Sequence, residues 1–346
     1  KRFLETDLWL KNGDALALSH INELRTNNYW ESPAIFGTPL LAAGVCQFYS
    51  NLFEKGMYWY NGKLIESKTV EIRIDDAGLL YGASVFTTLR VYDRSLNSAK
   101  TNWGGHCDRI RCSLETFGWQ KPDWERVRQG AETLKAHFPV LRIAIFPDGR
   151  EWIVGRNLPE DLSARQESGV VAWLAEAPKF RRSLAEHKTG NYLSAWLALR
   201  EAQQYGAKEA ILLDSSGNWL ETSTGNLWGW QDGRWWTPPL EAGILPGLMR
   251  SQLIAGLKSQ NKIVEEKPWS ADLVAGFEAI AYSNSVVEVV PIHKIIKSEG
   301  ESGRGGERGK LSDGPCPIPN GLSSSHICFQ KLRESITDRL PFSQIG

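Results

Sequence analysis

Apolar and polar positions change period repeatedly along the chain. Runs of six to nine residues read as strands in "TVEIRI" (69–74), "SVFTTLRVY" (84–92), "EAILLD" (209–214) and "EAIAYSNS" (278–285). "VLRIAIF" (140–146) is apolar except at Arg142, the texture of a strand covered on both faces. Helical spacing organises "DALALSHINELR" (14–25), "HCDRIRCSLETF" (106–117), "WERVRQGAETLKAHF" (124–138) and "LMRSQLIAGLKSQ" (248–260). "YWYNGKLIES" (58–67) predicts a hairpin, because Asn61-Gly62 is a turn pair between two strand-like runs.

These elements fall into two blocks in which strands and helices alternate, which predicts two α/β domains, mixed in α+β fashion, with a cleft between them. The expected boundaries are an N-terminal extension over 1–56, a small domain over 57–170, a connection over 171–186, a second domain over 187–296 and a disordered tail over 297–346. The tail expectation rests on Gly, Ser, Pro and charge in "KSEGESGRGGERGKLSDGPCPIPNGLSSS" (297–325). Met57 directly precedes the hairpin and the chain opens on Lys1, so 57–294 is expected to suffice as a core.

Forty basic and forty acidic side chains cancel, so no long-range field favours nucleic acid or an anionic membrane. "GRGGERG" (303–309) faintly resembles an RNA-binding tract, but Glu299 and Glu301 before it and Glu307 within it argue against that reading. The uncharged stretch 32–53 has the length of a membrane span, but Pro33, Gly37, Pro39 and Gly44 break it. No signal peptide is expected. Five cysteines without a framework point to a reducing, cytoplasmic setting, and His106, Cys107 and Cys112 match no metal-binding spacing.

Chemistry concentrates in the second block. Lys188 stands before a Thr-Gly-Asn turn in "EHKTGNYLSAW" (186–196), where an amine is either a solvated charge or a partly desolvated nucleophile. Glu221 ends a strand in "LETSTGNLWGW" (220–230), beside Gly225 and Asn226, at a turn a ligand can approach. Ile244-Leu245-Pro246-Gly247 opens a helix whose first amides lack internal partners, a ready anion cradle. An amine, a carboxylate and a phosphate cradle are together what pyridoxal phosphate requires.

Taken with "DDAGLLYGASVFTTLRVY", "HCDRI", "VLRIAIF", "KTGNYL", "AILLDSSGNWLETSTGNLW", "TPPLEAGILPGLMR" and "SNSVVEVVPI", in that order, residues 57–294 resemble the class IV pyridoxal-phosphate enzymes. That family includes branched-chain and D-amino-acid aminotransferases and aminodeoxychorismate lyase. The resemblance implies a smaller N-terminal α/β domain, a larger barrel-like C-terminal α/β domain, an active site between them and a homodimer. It makes Lys188 the Schiff-base lysine and proton carrier and Glu221 the partner of the pyridine nitrogen. It places Arg109, Ser285 and the Ile244 and Leu245 amides on the phosphate, with Asn226 beside the cofactor.

"VFTTLRVY" resembles the lyase subgroup more than the aminotransferases. This implies release of pyruvate from 4-amino-4-deoxychorismate, the alternative being amino-group transfer to a 2-oxo acid. Thr87 or Thr88 could relay a proton, although β-branched residues suit any strand. Arg142 and Arg150 stand where the family places a basic residue for substrate carboxylates. The family's Gly-rich stretch after this strand is reduced to "FPDGREW" (146–152), so Arg150 reads equally as a turn residue. A non-enzymatic cofactor carrier is the rival of another class, and it would need no electron sink at Glu221.

Overall fold

The computed structural model describes residues 56–297, 322 and 326–336. The readings for 14–25, 32–53 and 303–309 lie outside the described residues.

The first part is a five-stranded antiparallel sheet, ordered β2-β1-β5-β4-β3. Its strands are β1 (Tyr58–Tyr60), β2 (Lys63–Ile65), β3 (Val85–Arg90), β4 (Val140–Ile145) and β5 (Glu151–Arg156). The hairpin β1–β2 turns through Asn61 (φ 45°) and Gly62 (φ 83°). Positive φ at both positions is what a twisted two-residue loop needs, and Asn-Gly supplies it without strain.

Helices α2 (Trp103–Phe117) and α3 (Trp124–Lys135) are capped by the side chains of Asn102 and Asp123, and they follow the short α1 (Ala77–Tyr81). Both cover one face of the sheet, burying Ile110, Leu114, Val127, Ala131 and Leu134 against Leu89, Leu141, Ile143 and Ile153. The register pairs Phe86 with Ala144, Thr88 with Arg142 and Arg142 with Val154, so these residues share the other face.

The second part is an eight-stranded sheet built from β6 (Val170–Ala175), β7 (Glu209–Leu213), β8 (Trp219–Thr222), β9 (Asn226–Gln231), β10 (Arg234–Thr237), β11 (Val264–Glu266), β12 (Ala279–Asn284) and β13 (Glu288–Ile296). The order is β11-β10-β9-β12-β13-β6-β7-β8, and β8 also pairs back on β9 through Glu221 and Asn226. That pairing closes six strands into a barrel-like ring and leaves few open edges. Around it pack α4 (Leu162–Ser168), α5 (Leu193–Gln204), α6 (Leu248–Ser259) and α7 (Ala271–Ala275). Among the described residues no helix is long and apolar enough to cross a membrane.

The structure differs from expectation in three places. Residues 171–175 belong to β6 instead of a connection, because "VVAWLA" lies between the parallel neighbours β13 and β7 and is buried from both sides. The tail contains helix α8 (Ile327–Glu334), whose Cys328, Phe329 and Leu332 bury against Met249, Leu253 and Leu257 of α6. Three apolar residues at helical spacing are enough to dock, and the polar average of the tail conceals them. Finally, "TVEIRI" forms no strand and ends in a turn, with Ile74 89% exposed. Its alternation suits a strand, but alternation alone does not supply a pairing partner.

Candidate active site

Lys188 lies between β6 and α5 and is stitched to the start of β3. Its carbonyl accepts the Phe86 amide at 2.8 Å, Thr189 bridges Val85, and the Gly190 amide donates to the Ser84 carbonyl at 2.6 Å. A Cβ on Gly190 would stand 2.6 Å from the Gly82 carbonyl oxygen, so only glycine allows this approach. The Thr-Gly-Asn turn is thus the joint that brings the lysine onto the small sheet.

The Lys188 Nζ rests 4.9 Å from the centre of the Phe86 ring and 5.1 Å from that of Tyr192. Burial, reinforced by Arg109 and Arg182 and only partly opposed by Glu221, holds this amine well below the ordinary lysine range. The shift favours the free-base form, which can act as nucleophile and base, in a site rich in positive charge.

Glu221 is buried, and burial pushes its carboxyl upward while Arg182 and the Leu245 amide pull it back. One carboxylate oxygen pairs with Arg182, whose other nitrogen donates to the His187 carbonyl at 3.2 Å. The second oxygen accepts the Leu245 amide at 3.1 Å. Asn226, on the strand paired with Glu221, donates from its side chain to the Leu245 carbonyl at 2.9 Å, so the barrel closure and the 244–247 loop are fastened together. In this arrangement the Leu245 amide serves Glu221. Ile244 beside it is fully buried. Ser285 is half-buried in the turn between β12 and β13, two residues beyond Ser283, which pairs with Asn226.

Arg109 projects from α2. It donates to the Thr87 hydroxyl at 2.7 Å, while its Nε is buried without an acceptor, and burial pulls the guanidinium down to about 10. Thr87 also meets His106 Nδ1 at 2.5 Å. Burial and the neighbouring Arg109 hold His106 well below the ordinary histidine range, and the Thr87 hydroxyl links its imidazole to the guanidinium, from which it accepts. Thr87 therefore holds Arg109 from the helix-covered side of β3. Thr88, on the opposite face, shares the cleft side with Arg142.

Arg142 lies over the Phe86 ring, 3.5 Å from its centre, and has no carboxylate partner among the described residues. Arg150 does not join this group. Its guanidinium is taken by Asp148 at 2.5 Å, Asp76 at 2.5 Å and the Tyr60 hydroxyl at 2.5 Å, so it staples the β4–β5 turn to the start of α1. The expectation of a substrate-binding role for Arg150 is corrected on that ground, since its donors are already satisfied by carboxylates.

Arg182 and Tyr192 carry no role in the reading of the sequence, yet both face Lys188. Tyr192 stood in the "KTGNYL" stretch, four residues after the lysine. Arg182 stood in a presumed connection, and nothing local announces its pairing with a carboxylate 39 positions away.

The residues fit pyridoxal phosphate. A buried Arg109 Nε without an acceptor suits a phosphate oxygen, an amine shifted toward its free base suits an aldehyde, and a buried carboxylate suits a protonated ring nitrogen.

A branched-chain-amino-acid aminotransferase of Salmonella typhimurium is 25% identical over 276 residues, covering 72% of this chain and 87% of the relative. An aminodeoxychorismate lyase of Vibrio harveyi is 26% identical over 259 residues, covering 70% and 93%. Among solved structures, a branched-chain aminotransferase of Thermoproteus uzoniensis with norvaline superposes with a TM-score of 0.62 at 22% identity, covering 81% of this chain and 93% of that one. A hypothetical aminotransferase of Mycobacterium tuberculosis, with α-ketoglutarate and pyridoxamine phosphate bound, gives 0.64 at 19% identity, covering 82% and 100%. The model of the amino-transferase class IV family matches residues 84–295, more than half of the sequence. The chain belongs to the class IV aminotransferase family, whose cofactor is pyridoxal phosphate and whose fold it carries.

Proposed function

We propose that this protein is an aminodeoxychorismate lyase-like enzyme, which releases pyruvate from 4-amino-4-deoxychorismate and leaves 4-aminobenzoate. The observation that carries this reading is Arg142, a half-buried guanidinium on the cleft face without a carboxylate of its own. The cation suits a substrate carboxylate, of which aminodeoxychorismate carries two, whereas a branched-chain amino acid carries one on an otherwise apolar body.

Lys188 would hold the cofactor through its amine, Arg109 with the Ile244 amide and Ser285 would hold the phosphate, and Glu221 would keep the ring nitrogen protonated. Bound there, the cofactor supplies an electron sink for the bond broken at the substrate. Lys188, its free amine favoured by burial among cations, takes the proton from the substrate α-carbon. Arg142 orients the substrate carboxylate, and Thr88 on the same face offers a hydroxyl. Tyr192 is fixed by its hydrogen bond to the Ser223 carbonyl at 2.8 Å, and its ring bounds the room in which the amine can swing.

A second reading is amino-group transfer to a 2-oxo acid, favoured by the branched-chain aminotransferase among the relatives. Product analysis separates the two. The lyase reading expects pyruvate and 4-aminobenzoate in equal amounts from aminodeoxychorismate. It is overturned if that substrate is inert while branched-chain amino acids and 2-oxoglutarate exchange amino groups.

The working form under this proposal is a homodimer. Ile74, Leu79, Leu80, Tyr81 and Leu193 are all exposed, a density of apolar surface that a monomer rarely leaves in water.

A further inference from the structure

The cleft face of the small sheet carries more positive charge than a single carboxylate requires. Three arginines project from it: Arg90, Arg142 and Arg156. Arg90 has an acidic neighbour, Glu288 at 3.5 Å. Arg142 and Arg156 have none among the described residues. Arg142 lies against the Phe86 ring, and Arg156 donates one N–H to the Asn157 carbonyl at 3.2 Å.

The two are diagonal neighbours. Arg142 stands opposite Val154 and Arg156 opposite Val140, on the same face of adjacent antiparallel strands. That relation brings the Cα atoms within roughly 7–8 Å, well inside the reach of two arginine side chains. On the other diagonal from Arg142 is Trp152, whose indole Nε1 is buried without an acceptor. Arg142 thus has a donor group on each diagonal of one sheet face, and neither it nor Arg156 has a carboxylate partner among the described residues.

Two neighbouring, half-buried guanidinium groups repel each other and lose hydration, and each effect works against folding. Burial pulls both below the ordinary arginine value, with Arg156 adding to the effect on Arg142. Such a pair is tolerable where a ligand brings the missing negative charge. Arg142 is also among the charges felt at the Lys188 amine, whereas Arg156 lies one step further out. The strip therefore runs from the reacting amine outward through two successive cation sites.

We propose that Arg142 and Arg156 form a two-point anion clamp that selects substrates bearing two carboxylates, with Arg156 as the specificity-determining residue for the distal one. The proposal rests on the reading that chemistry occurs at Lys188. A simple amino acid, with one carboxylate, leaves Arg156 unsatisfied.

The test uses the cofactor-loaded protein and unreactive probes, isophthalate against benzoate and glutarate against butyrate, with affinities measured by calorimetry. The native protein is expected to bind each dicarboxylate at least about tenfold more tightly than its monocarboxylate partner, the usual scale of one charge-assisted contact. Arg156→Gln should reduce that preference to within about twofold while leaving benzoate affinity unchanged. Arg156→Lys should retain part of it, and Arg142→Gln should weaken both probe classes.

Equal affinity for mono- and dicarboxylates in the native protein, or an undiminished preference in Arg156→Gln, overturns the clamp. Borohydride reduction and peptide mapping on the same samples read the other premise separately. A pyridoxyl group on a lysine other than Lys188 overturns the site while leaving the affinities to be judged by themselves.

Discussion

Burial and two arginines make the charge of Lys188 costly and favour its free amine. A lowered value means that the proton is lost at lower pH, so the reactive form is complete well before the ordinary 10.5. The rate of pyridoxal-phosphate uptake by the apoprotein is therefore expected to rise with pH and level off below 10.5. A rate still climbing tenfold per pH unit up to that value would contradict the burial argument. Arg182 gives a second expectation. Arg182→Met leaves Glu221 buried without its cation, which should cost about 3–5 kcal/mol in urea unfolding. A loss under 1 kcal/mol would mean that the pair is dispensable. Lys188, Glu221 and Arg109 were legible because each sits in a short local pattern whose geometry follows from its neighbours. Arg182 and Arg150 were not, because their partners lie 39 and 74 positions away and the chemistry of an arginine does not say which carboxylate it meets.

Elements with strong local signals formed as read. The Asn61-Gly62 hairpin, the capped helices α2 and α3 and the strand β4 each combine a period with a terminus signal, so local preference and tertiary packing agree. "TVEIRI" had the period of a strand but no partner, and pairing is a property of the whole sheet. Helix α8 erred in the opposite sense, since the composition of 297–325 dominated a short apolar triplet beyond it. Phe329 is 1% exposed between α6 and the barrel, so Phe329→Ala should destabilise the protein by about 3–5 kcal/mol in chemical denaturation. A change below 1 kcal/mol would return the tail to the status of an appendage.

At the scale of the whole molecule, the proposed homodimer would cover the exposed apolar residues around α1. Leu79→Asp places a charge where Leu79 is 60% exposed, so the monomer should fold unharmed. Sedimentation is expected to show a dimer for the native protein and a monomer for the variant, and identical profiles would locate any assembly elsewhere. The barrel carries a further consequence. Its ring closes where β8 turns into β9: Glu221 pairs with Asn226, the Thr222 amide donates to the Gly225 carbonyl at 2.7 Å, and Asn226 also anchors the 244–247 loop. So short a closure frays before the long ladders of the rest of the ring, as a zip does at its last teeth. A guest gripping both Glu221 and that loop acts as a clasp across the seam, and it lends the barrel its own binding energy. Deuterium uptake by the amides of 221–226 should slow on loading with pyridoxal phosphate by a factor that grows with ligand concentration, while strands β6 and β13 on the far side of the ring keep their pace. Uniform slowing around the ring would show that the cylinder breathes as one body, without a seam.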